Sequence, residues 1–309
     1  MNVQVDPTKT IFITGTASGI GHATVEHFAK QGWNVAATVR KPEQLEIFKH
    51  LPTVKTYLLD VTDFEQVEAV AHTVIKDFGT VDAIVNNAGY AQYGPLETSS
   101  MEQIKSQYET NYFGLVAVCK AFIPHFRANR SGTIINIASL SAKMGFPIFS
   151  VYSSSKAAVA VLSEGLAIEL APFHIQVKAI FPGTHATQIF NKMDAGLDGA
   201  YQEYVPYIMN FIAAQQGIPK VSAPDNIAQV VWKAVTDNTQ KYEYVGGRDA
   251  NFLIGLKRWL PQISWKQMQV GTLTSPPSPM TLAFLSWVMQ GKKPVETQVD
   301  SRLIQNSTK

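Results

Sequence analysis

The feature that most constrains the fold is a regular alternation of short apolar runs with longer helical patterns. The short runs are rich in Val, Ile, Thr and Ala, as buried strands are. They occupy residues 10–14, 34–39, 54–59, 82–87, 132–138 and 175–180. Strands that alternate with helices pair in parallel through right-handed crossovers. The pattern therefore predicts an α/β fold, a doubly wound parallel sheet with helices on both faces.

No Pro-, Gly- or Ser-rich linker interrupts this pattern, so we expect one domain over residues 1–248 and a helical C-terminal extension over residues 249–309. Of the 309 residues 46% are apolar and only 16% are charged, which indicates extensive buried surface, between subunits or against an apolar partner. The net charge of +2 is too small to indicate a nucleic-acid partner. The single cysteine, Cys119, excludes an internal disulfide and is expected to be a buried thiol.

The chain shows no targeting or metal-binding pattern. Its N-terminus lacks a basic start followed by a long apolar core, so we expect no secretory signal. No run reaches the ~18 apolar residues that a spanning helix needs, and a cytoplasmic location is the default expectation. His22 and His27 lie on the first helical pattern without acidic companions at ligand spacing, so a metal site is not expected.

A glycine-rich turn joins the first strand to the first helix. The stretch TGTASGIG, residues 14–21, places Gly15, Gly19 and Gly21 where the backbone must approach a ligand closely. Ser18 and Ile20 lie at the start of the following helix, whose free N–H groups and positive dipole favour a phosphate. The turn predicts a pyrophosphate-binding site. Its spacing differs from the common G-x-G-x-x-G pattern.

A tyrosine and a lysine stand one helical turn apart in the stretch SVYSSSKAAV. Tyr152 and Lys156 share one helix face, because positions i and i+4 are neighbours. They are either a chance surface pair or an acid/base whose pKa the lysine lowers. A free phenol, with a pKa of about 10, is a poor base near neutral pH, and a nearby cation stabilises the phenolate.

Four motifs in order decide between these readings: TGTASGIG at 14–21, NNAG at 86–89, YSSSK at 152–156 and PG at 182–183. With them, residues 8–248 resemble the short-chain dehydrogenase/reductases, whose motifs are T-G-x-x-x-G-x-G and Y-x-x-x-K. The resemblance implies a Rossmann-like fold and an oxidoreductase that interconverts an alcohol and a ketone or aldehyde. It also implies a catalytic set in which Tyr152 is the acid/base and Lys156 tunes it.

Two further catalytic residues follow from the same resemblance. Ser139, at the end of a predicted strand, matches the serine that orients the substrate oxygen, with Ser141 as a nearby alternative. Asn111 matches the helix asparagine that anchors a proton relay to Lys156. A non-enzymatic protein that binds a partner according to its nucleotide state is the rival interpretation, although such a sensor would be free to lose members of the set.

The cofactor prediction rests on the end of the second strand. An acidic residue there would favour NAD, whereas Val39 stands at that position and Arg40 and Lys41 follow. We therefore expect NADP(H), and an NAD-dependent enzyme is the alternative. The resemblance implies further cofactor contacts, including second roles for Tyr152 and Lys156. These contacts are Asp60, Val61, Asn87, Ala88, Gly89, Pro182, Gly183 and Thr187.

The substrate is expected to be apolar. The stretch 188–217 stands at the family's variable substrate loop and is rich in aromatic and aliphatic residues, and Phe146 and Phe149 precede the Tyr152 helix. These side chains either line a site for steroid-, retinoid- or fatty-carbonyl-like molecules or pack among themselves. His185, also in this region, is expected to be a loop residue without a catalytic role.

The C-terminal extension contains a helical stripe of Phe252, Leu253, Leu256, Trp259 and Leu260, interrupted by Pro261, and a later apolar run at 280–290 that ends near Lys292 and Lys293. These segments either cover the pocket or a neighbouring subunit, or lie peripherally on a membrane surface. The resemblance also implies a homodimer or homotetramer.

Overall fold

A computed structural model describes residues 8–183 and 223–274 of the chain. Within them the strands are β1 (Thr10–Ile13), β2 (Asn34–Val39), β3 (Val54–Leu58), β4 (Ala83–Asn86), β5 (Gly132–Ile137), β6 (Ile175–Pro182) and β7 (Glu243–Gly246). All pair in parallel in one sheet of order β3-β2-β1-β4-β5-β6-β7. The predicted doubly wound parallel sheet is confirmed, since the strand order reverses between β1 and β4.

Helices cover both faces of this sheet. They are α1 (Gly19–Lys30), α2 (Phe64–Phe78), α3 (Met101–Tyr108), α4 (Gly114–Asn129), α5 (Ser150–Leu170), α6 (Pro224–Thr236), α7 (Arg248–Trp259) and α8 (Gln262–Thr274). Helices α2, α4 and α5 contribute to one hydrophobic core, and α1 and α6 contribute to the other.

Alternate side chains along a strand contribute to the two hydrophobic cores on opposite faces of the sheet. In β1, Phe12 packs in the core beneath α2, α4 and α5, whereas Ile11 and Ile13 pack in the core beneath α1 and α6. Successive side chains of a strand point to opposite faces, so a strand between two helical layers must be apolar throughout. All four β1 residues are buried, which explains the uninterrupted apolar run in the sequence.

The long helical pattern between β4 and β5 is divided in the structure. Residues Glu109–Phe113 form a π-helical segment between α3 and α4. Such segments insert an extra residue into a helix and are frequent at functional sites. The apolar periodicity of the sequence predicts the helix but does not reveal this segment, which contains Asn111.

Cys119 of α4 is buried, as expected, and burial raises the pKa of its thiol to about 12. The amide of Asn86 donates hydrogen bonds to Cys119 Sγ at 3.3 Å and to Asn136 Oδ1 at 2.9 Å. These contacts tie α4 to β4 and β5. A thiol with so high a pKa is a packing residue and not a nucleophile.

The described C-terminal helices pack beside the end of β5. The sequence analysis did not predict β7, a four-residue edge strand, but it correctly placed the break at Pro261 between α7 and α8. A hydrophobic cluster joins Ala250 and Trp265 to Leu140 and Met144. Trp259 is exposed, so the expected apolar stripe is only partly buried. No helix among residues 8–183 and 223–274 is long and apolar enough to cross a membrane.

Candidate active site

The predicted site residues gather at the carboxyl edge of the sheet, where the strand order reverses. The loops after β1 and β4 leave the sheet on opposite faces at this point, and ligands of doubly wound folds bind in the crevice between such loops. Gly15 follows β1, and Asn87, Ala88 and Gly89 follow β4. The structure therefore places the two predicted cofactor loops next to each other.

The glycine turn fits closely against the loop after β4. Gly15 has φ +69°, and a Cβ there would lie 2.8 Å from the Cα of Ala88. A Cβ on Gly21 would lie 2.4 Å from the Gly15 carbonyl oxygen and 2.5 Å from Asn87 Nδ2. Both positions therefore exclude a side chain, and the glycines allow the turn to pack directly on the loop after β4.

The start of α1 offers the electrostatic part of a phosphate site. Ser18 is the N-cap residue and makes no side-chain hydrogen bond to the helix backbone, and the helix begins at Gly19 with Ile20 next. The N–H groups of a first helical turn have no partners within the helix and carry the positive end of its dipole. An anionic pyrophosphate fits this position without any basic side chain.

Thr14 connects the two loops, a role that the sequence analysis missed. Its Oγ1 accepts hydrogen bonds from the backbone N–H groups of Asn87 and Ala88, each at 3.0 Å. Asn87 Nδ2 donates in return to the carbonyl oxygens of Thr14 at 2.9 Å and Gly15 at 3.0 Å. Thr14 directly precedes Gly15, the first glycine of the motif, and this position in the sequence was the signal that could have revealed its role.

The basic residues after β2 are exposed. Lys41 Nζ lies 3.8 Å from a Glu43 carboxylate oxygen, and Arg40 has an electrostatic effect on Tyr90. Burial raises the pKa of the Tyr90 phenol, and the positive charge of Arg40 partly opposes that rise. Tyr90 directly follows the NNAG motif, so Arg40 is near the crevice.

Asp60 and Val61, the second and third residues after β3, lie at the same edge. Asp60 Oδ1 accepts hydrogen bonds from the backbone N–H of Thr62 at 3.0 Å and from its hydroxyl at 2.7 Å. Val61 is buried and contacts Gly114 at the start of α4. Asp60 and Val61 therefore form a fixed turn beside the crevice.

Ser139 and Tyr152 form the centre of the candidate site. Ser139 follows β5, Tyr152 lies in the first turn of α5, and their side chains are hydrogen-bonded to each other. Ser139 Oγ also accepts from the backbone N–H of Ser141 at 3.1 Å, so Ser141 supports Ser139 through its backbone. Burial raises the pKa of Tyr152, although the Ser139 hydrogen bond acts to lower it.

Lys156 is also buried and lies deeper in the same site. Its Nζ donates to the Ile137 carbonyl oxygen at 2.8 Å, and burial lowers the pKa of its ammonium group to about 8. The sequence analysis expected Lys156 to lower the pKa of Tyr152. In the structure the pKa of Tyr152 is raised instead, because desolvation of the phenol is the larger effect and Ser139 is its direct partner.

Asn111 holds the backbone of the residue after the NNAG motif. Its Oδ1 accepts from the Tyr90 N–H at 3.0 Å, and its Nδ2 donates to the Tyr90 carbonyl oxygen at 2.9 Å and to Ser155 Oγ at 3.3 Å. A Cβ on Gly89 would lie 2.9 Å from Asn111 Oδ1 and 3.4 Å from Lys156 Nζ, so the loop passes close to both side chains. The π-helical segment thus positions Asn111 between the β4 loop and α5.

Pro182 and Gly183 are the remaining predicted contacts that the structure describes, and both lie at the end of β6. Pro182 is the last residue of that strand, and the N–H of Gly183 donates to the Gly246 carbonyl oxygen at 2.7 Å. The buried carboxylate of Asp249 lies against Gly183, a contact that the sequence analysis missed. Thr187, His185 and the whole stretch 188–217 lie outside the described residues.

Aromatic side chains form one wall beside Tyr152. Its ring centroid lies 6.3 Å from that of Phe149, which in turn lies 5.3 Å from Tyr93. Ala91 completes this cluster, and Phe146 packs against it. Phe146 and Phe149 are therefore next to the candidate reaction centre.

Comparison with known proteins identifies the family. The family described as short chain dehydrogenase matches residues 9–198. The chain is 34% identical over 259 residues to 3-ketodihydrosphingosine reductase of Bacteroides thetaiotaomicron, which covers 82% of this chain and 93% of the relative. This protein therefore belongs to the short-chain dehydrogenase/reductase family and is an oxidoreductase by class.

Solved structures agree with this assignment. A short-chain dehydrogenase from Streptomyces avermitilis superposes with a TM-score of 0.72 at 33% identity, covering 86% of this chain and 99% of the other. ElxO with NADP bound gives a TM-score of 0.67 at 28% identity, covering 80% and 99%. The start of α1, whose first N–H groups have no partners within the helix, fits the phosphates of a dinucleotide of the kind bound to ElxO.

Proposed function

We propose that this protein is an NADP(H)-dependent oxidoreductase that interconverts an alcohol with a ketone or aldehyde on an apolar molecule. The observation that carries the proposal is the hydrogen-bonded pair of Ser139 and Tyr152, with Lys156 buried one turn further along α5. A hydroxyl that orients a carbonyl oxygen and a phenol that exchanges its proton meet the needs of this reaction.

Tyr152 is the acid/base of the proposed reaction. Burial raises the pKa of its phenol, so the phenol is protonated near neutral pH and ready to donate to a substrate oxygen that gains negative charge. Ser139 orients that oxygen through its hydroxyl. The bound dinucleotide supplies or accepts the hydride. Reduction therefore transfers one proton from Tyr152 to the product alcohol, and oxidation returns it.

Lys156 and Asn111 support the proton transfer. The ammonium group of Lys156 favours the phenolate that forms when Tyr152 gives up its proton. Because burial lowers the pKa of Lys156 to about 8, this charge is sensitive to pH just above neutrality. Asn111 acts by fixing the β4 loop through both polar atoms of the Tyr90 backbone.

The proposed cofactor is NADP(H), which the neighbour ElxO binds. Val39, Arg40 and Lys41 support this assignment, because the sequence offers cations and no acid where a 2′-phosphate would lie. The glycine turn and the start of α1 would hold the pyrophosphate. Asp60 and Val61 would contact the adenine, and the remaining predicted contacts would hold the nicotinamide side: Asn87, Ala88, Gly89, Tyr152, Lys156, Pro182, Gly183 and Thr187.

The proposed substrate is a ketone or aldehyde with a large apolar part. The wall formed by Phe149, Tyr93 and Phe146 beside Tyr152 supports it. A relative of this chain is named for 3-ketodihydrosphingosine, a ketone on a long alkyl chain. Among steroid-, retinoid- and fatty-carbonyl-like substrates, these observations favour the fatty carbonyl class.

We further propose that residues 1–248 carry the reaction and that residues 249–309 shape its surroundings, which the packing of Trp265 on Leu140 supports.

A homodimer or homotetramer is proposed through α5. Val161 and Ile168 lie two turns apart on that helix, and both are largely exposed to solvent. Light scattering of wild type and Ile168→Glu tests this assembly.

Steady-state oxidation of NADPH and NADH over a panel of fatty, aromatic, steroid and retinoid carbonyls tests the proposed function. We expect turnover with NADPH, highest on fatty ketones. Arg40→Ala should raise the KM for NADPH about tenfold and leave that for NADH unchanged. Lys233→Ala, which removes an exposed lysine on α6, is the matched control. Preference for NADH would support the NAD-dependent alternative, and tight NADPH binding without turnover on any carbonyl would support the sensor.

A further inference from the structure

Each of the helices α7 and α8 has one face packed on the protein and another face exposed to solvent. Trp265 of α8 is buried against Leu140 and Met144. Ile263 lies two residues earlier, about 200° around the helix, and is 72% exposed. Trp259, the last residue of α7, is 86% exposed, the largest value for a large apolar side chain in the described part of the chain.

Exposed cations accompany these apolar side chains. Arg258 and Lys266 are exposed, and within residues 8–183 and 223–274 neither forms an ion pair with an acidic side chain. The sequence continues this bias, because residues 250–295 contain five Lys and Arg and no Asp or Glu. We call Arg258, Trp259, Ile263 and Lys266 the Trp259 surface.

We propose that the Trp259 surface docks on an anionic lipid membrane. Trp and Ile side chains enter the boundary between headgroups and acyl chains, while Arg and Lys remain at the level of the lipid phosphates. Each cation near such a surface contributes about fivefold to binding, because it is attracted to the negative surface potential. The Trp259 surface combines both contributions within nine residues, at the end of α7 and the start of α8.

The positive charge of the Trp259 surface disfavours two other partners, which are a second copy of this chain and the chain's own C-terminal segment. In a symmetric contact with a second copy, the same patch meets itself, so Arg258 and Lys266 would face like charges. The chain's own residues 275–309 carry four Lys and Arg against two Asp and Glu, so they offer no net opposite charge either. An anionic lipid surface complements both the charge and the exposed apolar area.

Docking would also bring the bilayer close to the reaction centre. The buried face of α8 contacts Leu140, the residue after Ser139, so the helix that docks is packed on the loop that orients the substrate. An apolar carbonyl dissolved in the membrane would then reach the site with little exposure to water. This consequence rests on the proposed function, whereas the docking itself does not.

Co-sedimentation of the full chain with lipid vesicles tests the docking without any turnover. Vesicles of phosphatidylcholine alone are compared with vesicles that contain about one third phosphatidylserine. We expect binding to the anionic vesicles that falls as salt is raised. Arg258→Gln with Lys266→Gln should weaken it about 25-fold, since two cations are lost. Trp259→Ser with Ile263→Ser should weaken binding to the same vesicles by at least tenfold.

Phe64→Ser is the matched control, because Phe64 is an exposed apolar residue at the start of α2 and outside this surface. It should bind vesicles as wild type does. Wild type that stays in the supernatant, or surface variants that bind as wild type does, would overturn the proposal. A change in subunit number in the Trp259→Ser and Ile263→Ser variant would also overturn it by identifying a contact between copies. All variants should reduce a water-soluble carbonyl at the wild-type rate, and failure of wild type in that assay would refute the proposed function alone.

Discussion

Removal of the buried Lys156 charge should stabilise the protein while it abolishes the proposed activity. Lys156 is 5% exposed, and burial lowers the pKa of its ammonium group from 10.5 to about 8. One pKa unit corresponds to about 1.4 kcal/mol, so the buried charge destabilises the fold by about 3 kcal/mol at pH 7. Lys156→Met removes this cost but leaves the Ile137 carbonyl without its donor, a loss of about 1–2 kcal/mol. The net expectation is stabilisation by about 1–2 kcal/mol at pH 7.

The stability difference between wild type and Lys156→Met should change with pH in a definite direction. Below pH 8 the lysine is protonated in both the folded and unfolded states, so the full cost of burying the charge is present. As pH rises from 8 toward 10.5, the folded state loses its proton before the unfolded state, and wild type gains stability relative to Lys156→Met. The advantage of the variant should therefore shrink by up to about 1.4 kcal/mol per pH unit.

Guanidinium denaturation of wild type and Lys156→Met at pH 7, 8, 9 and 10 measures this difference. Lys178→Met is the matched control, because Lys178 is also buried but pairs with Asp237 Oδ1 at 2.8 Å and with the Ala234 carbonyl oxygen at 2.8 Å. Its loss breaks a buried pair and should destabilise by about 3 kcal/mol. A Lys156→Met protein that is less stable than wild type at pH 7, by an amount that does not change up to pH 10, would refute the reasoning.

Three further predictions concern other parts of the fold. Gly15→Ala places a Cβ on a residue with φ +69° and should destabilise by about 1–2 kcal/mol and weaken NADPH binding, measured by calorimetry. Trp265→Ala should cost about 3 kcal/mol in chemical denaturation and lower kcat without changing the KM for NADPH, because Trp265 supports Leu140. Burial raises the pKa of Asp237, but its pairing with Lys178 outweighs this effect and lowers the pKa. The stability that the ionised carboxylate contributes above about pH 4 should therefore be lost as pH falls further. Asp237→Asn should remove that loss in acid titrations.

Strands β1 to β6 follow from patterns that local sequence carries. Residues such as Ile11, Phe12 and Ile13 are apolar on both faces, which occurs when a strand lies between two helical layers. Ser139 and Tyr152 are thirteen residues apart, and both became candidates through the family resemblance, with the end of a predicted strand favouring Ser139 over Ser141. The position of Ser139 relative to the end of a strand was the informative signal in the sequence.

The features that the sequence did not predict depend on contacts between distant segments. Strand β7 is short and is stabilised by pairing with β6, which no local pattern reports. The π-helical segment places Asn111 on the Tyr90 backbone, across 21 residues of sequence. The exposure of Trp259 depends on which face of α7 packs against Leu140 and Met144, which lie far earlier in the chain.

The raised pKa of Tyr152 likewise could not be predicted from the sequence. The spacing to Lys156 indicates a neighbouring cation, but the pKa depends on how deeply the phenol is buried. Phe149 packs beside Tyr152, and this surrounding favours the neutral phenol. A motif therefore indicates a candidate acid/base without giving its resting protonation state.

The most direct test of the account measures NADPH binding and carbonyl reduction separately in wild type and Tyr152→Phe. Phenylalanine keeps the ring but removes the hydroxyl that is hydrogen-bonded to Ser139. Wild type should consume one NADPH per carbonyl reduced. Tyr152→Phe should bind NADPH within about twofold of wild type and lose turnover by at least about 100-fold, the contribution typical of a general acid. Turnover in Tyr152→Phe close to that of wild type would contradict the central claim that this phenol transfers the proton.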